Sequence, residues 1–561
     1  MSETPIDENV HSPFDPPVEM PVDTLEDQSI LPRATHVLDR LYHVDIEQLA
    51  ALILVWVDTG ASLALAESFV LGCVHDMLEF SRTRRAAAFE LGSLAQTRAD
   101  AQQARLLSRN TCRPIVLTGS STFEAYLGQM TGPNRRWETL GLFFVASAKA
   151  ASEVEMFPAL FANTDDGKKL AKSMTYLIDC CLELCLGFDC LNDLQLILQY
   201  EQFHTHSGIY GETSFRAWRI MGDLATSLVA LGYHEKIDQQ LSTTPQFVIE
   251  LRKAIFARMY WADKALSVFM GRPPRILLAF CNFQVPNFRL DAQAPHAELI
   301  DFVADTRCSA KFAVLKEQSL EVFRMRNPSE QMERADMIRY DLEQLWLELP
   351  AHFRLTTTLA ASKGSPFTRD FLANQRLEYL HTHFLLGLTY LQKHPEPNEI
   401  LLGVAGEMLS LITEIILLRS KLVNSGTGWL WKVAHFGLPA AGLISLALLR
   451  RSGTSTPTRI KSKMIQDLCV LVAELRSGAI ISPGDPCFEL FTQATCTISS
   501  ILDSSLTLAS PPKAHMANLQ GSTSFDIGTN WNPDITFEPW DFETDFWENL
   551  ATHPTIAGMG N

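Results

Sequence analysis

Eleven cysteines, fifteen histidines and one adjacent aspartate pair are the residues through which this 561-residue chain could hold a metal or attack a substrate. Cys180, Cys181, Cys185 and Cys190 form the densest thiol group. Zinc modules commonly pair thiolates across two intervening residues, whereas no two cysteines in this chain have that separation, and these four lie along a helical, largely apolar run. They read as small apolar core residues. His204 and His206 are two apart, which puts them on different sides of a helix and argues against joint metal binding. Magnesium-diphosphate chemistry on an all-α scaffold needs an aspartate-rich motif and a facing Asn/Ser/Glu triad. Asp165-Asp166 runs instead into Gly167, Lys168 and Lys169. Counting from Asn192-Asp193, Leu196 and Tyr200 stand where Ser and Glu are required. There is no His-Glu-x-x-His, no Gly-x-Ser-x-Gly, no Gly-Lys-Ser/Thr loop and no dinucleotide glycine fingerprint. The expectation is a protein that is not an enzyme, with no catalytic residue, no metal and no cofactor.

The elements around these residues read as helices. From about Pro32 to Ser500, apolar residues recur at three- and four-residue spacing between Gly, Pro, Ser and Asn breaks, with no sustained alternation of period two. Trp218, Met221, Ala225, Leu228 and Gly232 share one helical face that stops at the glycine. The next helix starts in Thr243-Thr244-Pro245 and carries Phe247, Leu251, Ile255, Met259, Ala262, Leu266 and Phe269. It ends at Gly271-Arg272-Pro273-Pro274. The same periodicity recurs over 172–201, 296–325, 373–392, 398–423, 429–450 and 459–477. The predicted fold is all-α: one large helical domain over 31–500 with disordered acidic N- and C-terminal tails. No signal peptide precedes the cysteines, which points to a reduced compartment. The longest apolar stretch, Phe436 to Leu449, contains Pro439 and is shorter than a bilayer span, so no membrane anchor is expected.

The segment 214–291 resembles the middle homology region of the fungal six-cysteine zinc-cluster transcription factors. Trp218 and Gly222 match its opening, and Leu231-Gly232-Tyr233-His234 matches its turn with Tyr in place of Leu. Glu250, Arg252, Lys253, Phe256, Tyr260, Asp263, Lys264, Ser267, Gly271, Arg272, Pro273 and Ile276 follow in order, then Pro286 and Asp291. Ala254, Ala257 and Lys264 depart from the pattern. The resemblance implies a helical regulatory domain in which these residues are structural or regulatory. Asp263 and Arg272 are expected to pair within or between helices. The family's DNA-binding module places cysteines as C-x2-C-x6-C twice over, so that six thiolates share two zinc ions. No such spacing occurs, and no cysteine precedes Cys73. Either the module was lost or the start of the reading frame is misassigned.

Charge divides the chain. Residues 1–30 carry eight acids and residues 514–561 seven, with no Lys or Arg in either, whereas the rest balances 47 basic against 49 acidic residues. Residues 1–30 are Pro-rich, and 501–524 read as a Ser/Pro/Gly linker. Segment 525–561 interleaves Phe525, Trp531, Phe537, Trp540, Phe542, Phe546 and Trp547 with acids, the composition of an acidic activation domain. Basic clusters at Arg450, Arg451, Arg459, Lys461 and Lys463, and at Arg82, Arg84 and Arg85, read first as solvated connections and second as nuclear import signals.

The expected function is transcriptional regulation in the nucleus, as an activator of a fungal metabolic gene cluster such as one for secondary metabolism. Its expected partners are transcription coactivators met through the C-terminal tail. A homodimer or a heterodimer with a zinc-cluster factor would supply DNA contact indirectly. The runner-up is a DNA-free corepressor or decoy of such a factor. The alternative of another class is an all-α enzyme resembling a terpene synthase.

Overall fold

A computed structural model describes residues 30–508 except 91–92, 212–213, 238–243, 290–298, 392–396, 424–427, 451–461 and 479. The protein is all-α: among the described residues 77% are helical, and the only β contact there is an isolated bridge between Phe157 and Phe161. The helices are α1 (Ile30–Arg40), α2 (Ile46–Asp58), α3 (Glu67–Glu90), α4 (Ser93–Cys112), α5 (Phe123–Gly128), α6 (Trp137–Glu153), α7 (Thr164–Gly187), α8 (Asp193–Tyr210), α9 (Phe215–Ala230), α10 (Gln246–Met270), α11 (Phe302–Arg324), α12 (Pro328–Glu348), α13 (Pro366–Leu391), α14 (Glu399–Leu417), α15 (Trp429–Lys432), α16 (Leu438–Arg450), α17 (Ser462–Arg476) and α18 (Phe488–Leu508).

The helical region expected over 31–500 gathers around two centres. Unit 1 comprises 1–263 and 275–310, and unit 2 comprises 264–274 and 311–561. Each centre is a helix buried on nearly every side, where a surface helix would bury only a stripe. In unit 1 this is α6, whose residues from Trp137 to Ala148 are all buried and which packs against α2, α3, α7 and α8. In unit 2 it is α13, packed on α12 and α14, with α14 in turn meeting α16 and α17.

Local chemistry explains where helices begin. Asn163, Asn192, Ser214, Asn327 and Asn398 each cap a helix by accepting a backbone N–H of its first turn. The periodic run 172–201 is in fact parts of two helices. Asp189 adopts a left-handed φ of 52°, and Asn192 accepts from the N–H groups of Leu194 and Gln195, so α7 stops and α8 starts anew. The run 429–450 stays helical through Pro439 because Val433–Gly437 widens to a π turn, which accommodates the proline's missing N–H.

The predicted linker begins too early at 501. Helix α18 continues to Leu508, because buried Ile501 and Leu502 extend the apolar face of Phe491, Ala494 and Ile498. The rest of that linker, the acidic–aromatic segment 525–561 and the N-terminal tail before Ile30 lie outside the described residues. So do Thr243, Asp291, Arg451, Arg459 and Lys461. Among the described residues two helices could cross a bilayer by length and composition, Glu399–Leu417 and Trp429–Leu449. Of the second, 94% is buried within the protein.

Candidate functional site

In unit 1, residues of the 214–291 resemblance lie on and beside α8, α9 and the part of α10 before Lys264. Both signature helices end on a left-handed glycine. Gly232 has φ of +73°, and the N–H groups of Gly232 and Tyr233 return to the carbonyls of Val229 and Leu228 at 2.9 and 3.1 Å. Gly271 has φ of +60°, and the Arg272 N–H returns to the Ser267 carbonyl at 3.0 Å. This geometry satisfies the last helical carbonyls and strains any residue with a Cβ. It gives the Leu-Gly-Tyr-His and Gly-Arg-Pro steps a physical reason.

Beyond Gly232 the chain turns Tyr233 inward. Its hydroxyl hydrogen-bonds the carboxylate of Asp193, the first residue of α8. Arg252 of α10 meets the same carboxylate at 3.3 Å and lies 5.3 Å from the Tyr233 ring centre. Burial and the neighbouring Asp193 charge push the Tyr233 hydroxyl pKa well above the usual value, so it stays protonated and donates. Phe256 and Tyr260 stack at 5.8 Å, and the Phe283 ring meets both edge-on.

Asp263, fully buried, accepts the backbone N–H groups of Arg275 and Ile276 at 3.0 Å each. That anchors the 275–276 turn and lays the Arg275 guanidinium 3.6 Å from the Trp218 ring centre. A Cβ at Gly222 would stand 3.4 Å from Arg275 Nε, so the glycine leaves room for the arginine. The expected face of α9 is therefore corrected at one position. Met221, Ala225 and Leu228 are buried, but Trp218 is only half-buried, with the Arg275 guanidinium over its ring. Arg272 and Pro273 are exposed, Ser267 is buried, and the His234 carbonyl accepts the Asn282 N–H at 2.7 Å. Arg275, which organises the α9 face, was not singled out by sequence. A cation a few residues after Gly-Arg-Pro, opposite a Trp-x-x-x-Gly step, was the available signal.

Unit 2 holds a second polar group inside its core. Asp370, Asn374, Glu378 and His381 follow one face of α13. Lys432 meets Asp370 at 2.6 Å, and Lys316 meets Glu378 at 2.5 Å, all four nearly fully buried. The His381 and His435 rings are 4.6 Å apart, and Trp431 stacks on His435 at 4.6 Å. Burial holds both histidines well below their usual pKa, with the Lys316 charge adding to it.

The remaining candidates fall elsewhere. His206 meets Asp179 at 2.7 Å, whereas the His204 ring lies against Tyr200 and Phe203. Cys181, Cys185 and Cys190 are buried, and no group of three or more potential metal ligands occurs among the described residues. Arg82, Arg84 and Arg85 face Glu47, Asp100 and Asp45 respectively. Arg84 also lies over the Tyr42 ring at 4.1 Å, on the wall of a cleft that includes Phe80 and Arg135. Among known protein families, curated proteins and solved structures, none matches the chain.

Proposed function

We propose that this protein is a regulator of transcription, an activator that works in the nucleus through its helical body and its acidic–aromatic tail. The observation that carries the reading is that the ordered residues of the resemblance interlock. Trp218 and Gly222 receive Arg275, which Asp263 orients, while Gly232 delivers Tyr233 to the carboxylate that Arg252 holds. A chance scatter of matching letters would not converge on shared partners. Charge supports the rest of the proposal. The body is nearly neutral, so promoter contact is assigned to a partner carrying the basic, zinc-bearing module. The tail's aromatics supply anchors for coactivator grooves, and its acids keep them in water.

Fusing residues 514–561 to an unrelated DNA-binding domain tests this directly: reporter output should switch on. Replacing Trp540, Phe542, Phe546 and Trp547 by Ala should abolish that output with every acid retained. Output indifferent to the four changes would reduce the tail to a solubilising extension. A DNA-free decoy of a zinc-cluster factor is the second reading, favoured by the near balance of 47 basic and 49 acidic residues outside the two acidic ends. It requires binding to that factor together with a silent tail fusion.

A further inference from the structure

Helix α12 carries apolar side chains on two opposite sides. On one of them Ala335, Ile338 and Leu342 are buried, and the helix packs on α13. At about 100° per residue, Met337, Tyr340 and Leu347 fall on the other, where they are 52%, 65% and 61% exposed. A surface helix confines its large apolar residues to the stripe that faces the core. One exposed side chain needs no explanation, but three in line along about 15 Å, at about 1.5 Å per residue, mark a face built for contact. Glu333, Asp336, Met337, Tyr340 and Asp341 line an open hollow of about 630 Å³ on this side.

The rim of that face is acidic. Asp336 is paired with Arg339, and Glu343 accepts the Tyr379 hydroxyl at 2.8 Å and so serves the α13 contact. Glu333 and Asp341 are exposed and meet no cation among the described residues. Charge sorts the occupants that could cover the face. Nucleic acid and an anionic lipid surface bring the same sign. Segment 514–561, with seven acids and no Lys or Arg, does likewise, and a second copy would set acidic rim against acidic rim. A cationic partner offers the complementary charge.

We propose that the outer face of α12 docks a cationic amphipathic helix of another protein. The partner's apolar residues, at helical spacing, cover Met337, Tyr340 and Leu347, and its Lys or Arg side chains meet Glu333 and Asp341. Tyr340, the most exposed of the three apolar residues and central between the other two in sequence, is the anchor: a large ring with few rotatable bonds, whose hydroxyl can still bond at the wet rim. Apolar contact holds the partner and the two carboxylates choose its sign. The proposal concerns unit 2 alone and stands whether or not the protein regulates transcription.

The test titrates the purified full chain with two fluorescently labelled peptides of about 18 residues, long enough to form a helix. Both carry Leu at i, i+3, i+4 and i+7 spacing; one has Lys at the remaining positions and the other Glu. Fluorescence anisotropy should saturate about tenfold tighter with the Lys peptide than with the Glu peptide. Met337→Ser/Tyr340→Ser should weaken the Lys peptide about tenfold, the scale of a lost anchor, and leave the thermal melt unchanged because both side chains are exposed. Glu333→Lys/Asp341→Lys should invert the preference between the two peptides. The acidic ends remain in every variant, so Lys-peptide binding indifferent to both double variants lies elsewhere and overturns the proposal. Self-association of the unmodified chain that is lost in Met337→Ser/Tyr340→Ser, or a cross-link joining α12 to residues 525–561, would show that a second copy or the tail covers the face and would equally overturn it.

Discussion

Asp263 and Trp218 belong to the same small assembly, yet their removal should differ in cost. Asp263 is fully buried and takes two backbone N–H groups, so Asp263→Ala leaves both donors without that acceptor, at about 1–3 kcal/mol for each buried group left unsatisfied. Asp263→Asn keeps an acceptor oxygen and should fall between. Trp218 is half-buried beneath Arg275, so Trp218→Ala should cost about 1–2 kcal/mol, the scale of a partly desolvated cation–π contact. A fully buried ring would cost about 3–5 kcal/mol. Denaturant unfolding of the two alanine variants gives the order. A Trp218→Ala loss equal to or larger than that of Asp263→Ala would contradict the half-buried placement.

Helices α6 and α7 pack tightly at Gly167, where α7 has no side chain. A Cβ at Gly167 would stand 2.6 Å from the Ala151 carbonyl oxygen. Backbone cannot swing aside as a side chain can, so Gly167→Ala should destabilise by about 1–3 kcal/mol, the usual range for overpacking. Gly406→Ala makes an instructive contrast, since its Cβ would meet the flexible Met464 thioether end. That variant should be milder in the same melting experiment. Helix α13 and the α15–α16 segment contribute to the pH response. His381 and His435 are buried and remain neutral well below the range in which the unfolded chain protonates, near pH 6.5. The unfolded state therefore takes up more protons as pH falls. The histidine contribution is intact above about pH 6.5 and declines below it. Denaturant midpoints of the unmodified chain should drop between pH 7 and pH 5, and a His381→Gln/His435→Gln double variant should show a flatter acid limb.

At the scale of the whole molecule, charge predicts behaviour toward nucleic acid. Fifteen of the seventeen excess negative charges lie in the two terminal segments, and the body is close to balanced. Each neutralised phosphate adds affinity through counterion release, and this chain has few unmatched cations to offer. Purified protein should therefore show weak, non-selective association with duplex DNA in a fluorescence anisotropy titration. Tight, salt-sensitive and sequence-selective binding would mean that a DNA-reading surface exists in the folded body.

The all-α class and most helix limits were determined by the chain itself, since spacing, caps and glycine stops are local. Gly232 and Gly271 end their helices where the sequence places the stops. The break at Asp189 and Asn192 was also written locally, but continuous apolar spacing on either side concealed it. What only tertiary structure decided depends on contacts between distant segments. Arg275 claims the Trp218 face, Tyr233 and Arg252 share Asp193, and histidines from α13 and the π turn meet inside unit 2. The Arg136–Glu138–Asn192 relay is of the same kind, since it ties the carbonyls of Thr111 and Arg113 to that of Cys190, residues that no local periodicity relates.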